Sequence, residues 1–218
     1  AVIDASLPPE IYLRLSEERG WKLRYAIDTH IHADHLSRGR ALAEMAGAEY
    51  LLPAQDRARF PYRPIHDRDT LRIGAARLAA FRTPGHTWES TCYVLDNQAL
   101  FTGDTLFLAA VGRPDLGAAG GQTAARARML FQSLQRIARF GPGLLVLPGH
   151  TPEPVPFDGK PLVATLRETA RQLADWGDSE ETFVRRVREH LPPAPENHLK
   201  ILEYNLEGVL PEGDVTEL

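Results

Sequence analysis

Three histidines and one aspartate occur within six residues in the first part of the chain. Residues 29–35 read THIHADH and follow an apolar stretch, residues 23–28, that is typical of a β-strand. In extended backbone, side chains at positions i and i+2 point to the same side, so His30 and His32 can reach one point. Asp34 and His35 follow where the chain turns. Protonated imidazoles this close would repel one another, whereas a bound divalent metal keeps them neutral, so the spacing predicts a metal-binding segment.

Three later segments each supply one more potential ligand. The tetrapeptides TPGH, FTGD and LPGH place His86, Asp104 and His150 directly after predicted strands, with a glycine just before each of them. Glycine lets the chain turn sharply at such positions. An ordinary strand exit would explain any one segment alone, but the four segments together favour a metal site.

The composition is that of an ordinary globular protein. Of 218 residues, 43% are hydrophobic and 25% are charged, and the formal net charge is −4. This charge attracts neither phosphate backbones nor anionic lipids, so we expect no nucleic-acid or membrane partner. The single cysteine, Cys92, allows no internal disulfide and excludes cysteine-rich zinc and iron–sulfur sites. With no visible signal peptide or transmembrane run, and with 22 arginines against 3 lysines, we expect a bacterial cytoplasmic protein.

Predicted strands and helices alternate along the chain, which indicates an α/β protein whose sheets are covered by helices. The predicted strands are residues 2–4, 23–28, 50–52, 71–73, 78–82, 91–95, 99–102 and 144–147, and the predicted helices are residues 8–20, 40–46, 123–140, 162–176, 180–189 and 196–210. In the helix at 123–140, Leu130 lies in the apolar stripe and Arg126 faces away from it. We expect one domain over residues 1–218, with a helical C-terminal extension over about 161–218.

The ligand segments, in this order, resemble those of the metallo-β-lactamase superfamily. The resemblance covers nearly the whole chain up to His150. It implies a four-layer αββα sandwich with the metal site at one edge of the two sheets. Members begin with a β-hairpin before the strand that matches residues 2–4, so the resemblance also implies that an N-terminal hairpin is missing from this sequence. Because one fold hosts many reactions, the branch has to be argued from further residues.

Glyoxalase II, a thioesterase with two metals, is the most similar hydrolase branch. This resemblance implies two Zn(II) ions and hydrolysis of a hydroxyacyl thioester, because a bound metal lowers the pKa of water. It assigns His30, His32 and His86 to the first metal, Asp34, His35 and His150 to the second, and Asp104 to both.

The persulfide dioxygenases are a second branch that the sequence resembles. Residues 112–116, which read GRPDL, resemble the GRTDF stretch of that branch. The resemblance implies one Fe(II) per chain, held by His30, His86 and Asp104, with open positions for O2 and substrate. The reaction would oxidise a low-molecular-weight thiol persulfide, such as glutathione persulfide, with O2 to sulfite and free thiol.

The same resemblance gives roles to the remaining polar residues. It places His32, Asp34, His35 and His150 around the iron ligands, with Asp34 and His35 catalytic and with Arg113 and Asp115 in contact with the substrate. We take the dioxygenase reaction as the main functional prediction and thioester hydrolysis as the alternative. A non-catalytic metal-binding protein is a weaker alternative, because structural zinc sites are usually closed and often contain cysteine. The C-terminal helices could form a homodimer interface.

Overall fold

The computed structural model describes residues 1–118, 121–151, 155, 158–174 and 179–211. In chain order, the elements are β1 (Val2–Ile3), α1 (Pro9–Glu18), β2 (Tyr25–Ile27), α2 (Gly39–Ala46), β3 (Glu49–Pro53), β4 (Arg63–Ile65), β5 (Thr70–Ile73), β6 (Ala76–Arg82), β7 (Thr91–Leu95), β8 (Ala99–Gly103), α3 (Gln122–Ile137), β9 (Leu145–Pro148), β10 (Ala164–Thr165), α4 (Leu166–Gln172), α5 (Glu180–Glu189) and α6 (His198–Glu207). Among the described residues, no helix is both long enough and apolar enough to cross a membrane.

The chain divides into two compact units. The first comprises Ala1–Ile65 together with Pro193–Leu218, and the second comprises His66–Pro192. The last helix, α6, therefore belongs to the same unit as the first strands. The organisation of residues 1–218 as one domain with a C-terminal extension stays a prediction.

The first unit is built on a parallel sheet with the strand order β1-β2-β3-β4. Helices α1 and α2 connect successive parallel strands, and Leu42 of α2 packs with Ala26 of β2 in the core. Ile3 lies opposite Ile27 in the register of β1 and β2. Because both strands run in the same direction, the residues that follow them leave the sheet at the same edge.

The second unit is built on a six-stranded sheet with the order β10-β9-β8-β7-β6-β5. Asp96 and Asn97, both at positive φ, form the tight turn between β7 and β8. Strands β5 to β8 are antiparallel neighbours, whereas β8 and β9 are parallel and are connected through α3. It follows that β6, β8 and β9 run in the same direction and end at the same edge of the sheet.

Helix α3 provides much of the core of the second unit. Leu130 is completely buried, and the cluster around it includes Phe183 and Val187 of α5. Arg126 is also buried, contrary to the prediction that it faces away from the apolar stripe. Its guanidinium donates hydrogen bonds to the Leu116 carbonyl (2.9 Å) and the Gly85 carbonyl (3.4 Å). Backbone carbonyls from two loops thus replace water around this cation, which a periodicity argument cannot detect.

Most predicted elements occur, but β4 and β10 were not predicted. Strand β4 contains Pro64 and lies at the edge of its sheet. Proline cannot donate a backbone hydrogen bond, so a sequence pattern that contains it does not predict a strand. The predicted helix at 162–176 starts later, because β10 pairs with β9 and Thr165 then caps α4 in a capping box with Glu168. The predicted end of that helix, at 175–176, lies outside the described residues.

We expect Leu130→Ala to lower the free energy of unfolding by about 2–5 kcal/mol, because it removes a fully buried side chain and leaves a cavity. Leu199→Ala is a matched control, since Leu199 is a helical leucine that is 62% exposed. Urea unfolding followed by circular dichroism measures both variants. Equal losses of stability in the two variants would contradict this description of the core.

Candidate metal centre

The first set of metal-ligand side chains lies in the loop after β2. His30 and His32 are both 1% exposed, and their ring centroids are 4.1 Å apart. One ligand-type atom from each of His30, His32 and Asp34 lies within 4.8 Å of the others. The ring of His35 lies 4.1 Å from that of His32, and its Nδ1 is 2.9 Å from Asp34 Oδ2. The structure thus brings together all four predicted ligands of this segment.

Asp4 determines which nitrogen of His32 faces the other ligands. The Asp4 carboxylate follows β1 directly, and its Oδ1 lies 3.2 Å from His32 Nε2. Because Nε2 donates to this carboxylate, the lone pair of the neutral ring is on Nδ1. His32 Nδ1 is buried and makes no hydrogen bond within the described residues, and Asp34 Oδ1 lies 3.6 Å from it. Such a nitrogen fits a metal ion.

Asp4 also determines the tautomer of His30, through the hydroxyl of Thr29. Asp4 accepts hydrogen bonds from the Thr29 backbone N–H (2.7 Å) and from its hydroxyl (2.9 Å). The hydroxyl has a single proton, which it donates to Asp4, so it accepts a hydrogen bond from His30 Nδ1 at 2.9 Å. The lone pair of His30 is therefore on Nε2. One carboxylate thus fixes the tautomers of two imidazoles.

The carboxylates around His32 make its position favourable for a cation. Burial alone would lower the pKa of His32, but the charge of Asp4, the nearby Asp34 carboxylate and the hydrogen bond to Asp4 raise that pKa well above its usual value. Burial would likewise raise the pKa of Asp4, but the charge and hydrogen bond of His32, together with the Thr29 donors, lower it. A proton and a metal ion compete for this imidazole, so acid is expected to weaken metal binding.

Asp28, the residue before Thr29, supports the start of the loop through hydrogen bonds. Its Oδ2 accepts hydrogen bonds from the Ser37 hydroxyl (2.5 Å) and the Tyr50 hydroxyl (2.6 Å). Burial raises the pKa of Asp28, and the charge of Asp4 adds to this effect. Sequence reasoning missed Asp4 and Asp28 as supporting residues. The available signal was a carboxylate at the end of each of two predicted strands, residues 2–4 and 23–28.

The second set of metal-ligand side chains lies at the edge of the second unit's sheet where β6, β8 and β9 end. His86 follows β6, Asp104 follows β8 and His150 follows β9. His86 Nε2 lies 3.7 Å from Asp104 Oδ2, and His150 Nδ1 lies 2.7 Å from Asp104 Oδ1. The Asp104 carboxylate therefore has one histidine at each oxygen.

Residues 112–115 hold His86 and Asp104 in place. His86 Nδ1 donates a hydrogen bond to the Arg113 carbonyl at 2.8 Å, which directs Nε2 toward Asp104. Gly112 packs so closely that an added Cβ would lie 1.8 Å from the Asp104 carbonyl oxygen. The Arg113 guanidinium donates two hydrogen bonds of 2.7 Å to the Asp115 carboxylate. Partial burial would raise the pKa of Asp115, but these hydrogen bonds and the Arg113 charge lower it.

Comparison with known proteins places the chain in a family. Residues 1–150 match the model of the metallo-beta-lactamase superfamily, so the chain belongs to that superfamily. The crystal structure of a metallo-beta-lactamase from Staphylococcus aureus matches with a TM-score of 0.86 and 25% identity, over 95% of this chain and 66% of that chain. The crystal structure of ETHE1 from Myxococcus xanthus matches with a TM-score of 0.79 and 28% identity, over 94% of this chain and 86% of that chain. The predicted fold class, the α/β metallo-β-lactamase fold, is confirmed.

Curated relatives share a common name. The hydroxyacylglutathione hydrolase of Rhodospirillum rubrum is 34% identical over 153 residues, which is 69% of this chain and 56% of the relative. The enzyme of the same name from Brucella anthropi is 35% identical over 138 residues, 62% of this chain and 47% of the relative. The chain thus spans about half the length of the curated relatives it matches.

The prediction of an iron-dependent persulfide dioxygenase is wrong. Curated relatives at 33–36% identity are named hydroxyacylglutathione hydrolase. The prediction rested on residues 112–116, whose contacts explain why it failed: Gly112 and Arg113 support Asp104 and His86, and Arg113 pairs with Asp115. Because these contacts hold predicted ligands in place, the motif by itself does not identify the reaction. Substrate contact by Arg113 and Asp115 stays a prediction.

We expect Gly112→Ala to destabilise the protein by about 1–3 kcal/mol, because an added methyl group would overlap the Asp104 carbonyl and shift the backbone. It should also lower the metal content of purified protein, because Asp104, a predicted ligand, would move. Gly143→Ala is the matched control, because an added Cβ there meets no atom within 4 Å. Thermal unfolding and elemental analysis measure both variants, and unchanged metal content in Gly112→Ala would contradict the packing argument.

Proposed function

We propose that the chain is a metal-dependent hydrolase of glyoxalase II type that cleaves a hydroxyacyl thioester of glutathione. The observation that carries the proposal is the set of curated relatives at 33–36% identity that are named hydroxyacylglutathione hydrolase. The chain retains every histidine and aspartate that the resemblance to glyoxalase II assigns to metal binding.

The ligand atoms of the chain are of the types that zinc binds, and we assign them to two ions. They are imidazole nitrogens and carboxylate oxygens, a set that suits Zn(II). The proposed ligands of the first ion are His30, His32 and His86, those of the second ion are Asp34, His35 and His150, and Asp104 is shared. When bound, the ions would supply a water of lowered pKa and a polarised carbonyl oxygen. In support, His32 has a buried Nδ1 suited to a metal ion, and Asp104 has one histidine at each oxygen.

The residues of the chain would hold this arrangement rigid. Asp4 and Thr29 fix the rings of His30 and His32, and the Arg113 carbonyl fixes the ring of His86. Such fixed rings reduce the reorganisation that the reaction requires. Asp34 and His35 are the proposed catalytic residues, because both bind the second ion in this assignment.

We expect Asp34→Ala to lower the hydrolysis rate of a lactoyl thioester of glutathione by more than about 100-fold, because it removes a ligand of the second ion. Asp56→Ala, which changes an exposed aspartate in the same unit, should retain full activity. Loss of thioester absorbance gives the rate, and elemental analysis gives the zinc content. Wild-type activity in Asp34→Ala would contradict the ligand assignment.

We also expect a chelator to abolish hydrolysis and added Zn(II) to restore it. The restored rate should be the same in anaerobic and aerated buffer, because hydrolysis consumes water and not O2. The proposal fails if the zinc-loaded protein cleaves no hydroxyacyl thioester of glutathione.

A further inference from the structure

The side-chain amide of Asn205 in α6 is bonded to the loop that carries the first set of metal-ligand side chains. Its Nδ2 donates hydrogen bonds to the His32 carbonyl (2.9 Å) and the His35 carbonyl (2.8 Å). Its Oδ1 accepts a hydrogen bond from the Ser37 N–H at 2.9 Å. Asn205 is 8% exposed, so these bonds form away from water. One side chain thus binds the backbone at three points within six residues.

An asparagine is suited to this position. Residues 32–37 form neither helix nor strand, so their backbone groups need partners outside regular secondary structure. The amide offers two donors and one acceptor, which match two carbonyls and one N–H. The reversed orientation would place its oxygen against two carbonyl oxygens, so the hydrogen bonds fix its orientation.

Helix α6 is itself held firmly in the first unit. The Arg40 guanidinium donates a hydrogen bond of 2.6 Å to the Gly208 carbonyl just past the helix. Gly208 adopts the left-handed conformation, and an added Cβ there would lie 2.3 Å from the Phe60 ring. The Arg59 N–H also donates to the Leu206 carbonyl at 2.8 Å. These contacts fix the position of the helix, and therefore of the Asn205 amide.

We propose that Asn205 is a positioning residue for the metal centre, acting on His32 and His35 through their backbone carbonyls. This inference rests on the proposed metal binding by these histidines. Helix α6 lies beyond residues 1–150, the part that matches the family model, so this contribution comes from outside the matched region. Substitution of a residue that orients metal ligands commonly lowers metal affinity by about 10–100-fold.

The decisive substitution is Asn205→Asp. It retains the shape of the side chain and the acceptor for Ser37, but it turns an oxygen toward the His32 and His35 carbonyls. Repulsion between these oxygens should displace the loop. We expect Zn(II) affinity to fall by about 10–100-fold, measured by competition with a coloured chelator. The visible absorption spectrum of the Co(II)-loaded protein should also change, because that spectrum reports ligand geometry.

Two matched controls separate positioning from stability. Asn97→Asp makes the same chemical change in an exposed turn and should leave Zn(II) affinity unchanged. Ile201→Ala removes a buried side chain from the same helix, so it should lower the melting temperature while leaving the Co(II) spectrum unchanged. Asn205→Ser and Asn205→Ala provide further variants that lack the amide donors, and both should bind Zn(II) more weakly than wild type.

Several results would overturn the inference. Wild-type Zn(II) affinity and an unchanged Co(II) spectrum in Asn205→Asp would do so. If Ile201→Ala changed the Zn(II) affinity and the Co(II) spectrum as much as Asn205→Asp does, the role of Asn205 would be in stability alone. Failure of all three Asn205 variants to fold would lead to the same conclusion. The proposed hydrolysis is tested separately, since a wild-type protein that binds Zn(II) but cleaves no thioester would refute that reaction and leave the role of Asn205 standing.

Discussion

A neutral imidazole has one nitrogen that donates and one that accepts, and the hydrogen bond at the first decides which atom can bind a metal. In this chain that choice is made by groups that are not ligands in our assignment. The Asp4 carboxylate makes it for His32 directly and for His30 through the Thr29 hydroxyl, and the Arg113 carbonyl makes it for His86. In the first unit, the parallel strands β1 and β2 end side by side, which places Asp4 next to Thr29 and His32.

The same constraint explains why ligand residues identify the superfamily more readily than the reaction. A set of imidazoles and carboxylates held in this way suits several metals and several substrates. Residues 112–116 pointed to oxygen chemistry as a motif, yet in the structure they are a support for Asp104 and His86. A motif that stabilises ligands does not by itself identify the substrate, so the names of the relatives carry more weight here.

The sequence was sufficient for features that depend on local pattern. The ligand segments could be placed at strand ends because apolar runs, glycines and polar residues follow one another within a few positions. Asp4 and Asn205 could not be identified in this way, because their roles depend on partners 28 and 173 residues away in the chain. Arg126 was misplaced for a related reason, since the carbonyls that accept its hydrogen bonds come from separate loops. The short strand β10 exists only through its pairing with β9.

The long sequence separation between Asn205 and the histidine loop has a consequence for synthesis. The ribosome makes His32 and His35 before Asn205, whose amide bonds their carbonyls, and it adds that residue 173 and 170 positions later. Contacts so distant in sequence form late, because the intervening chain must first be ordered. Until Asn205 is made, the loop therefore lacks three of its backbone hydrogen bonds, and a nascent chain that captured a metal ion in that interval would do so with a looser set of ligands than the folded protein offers.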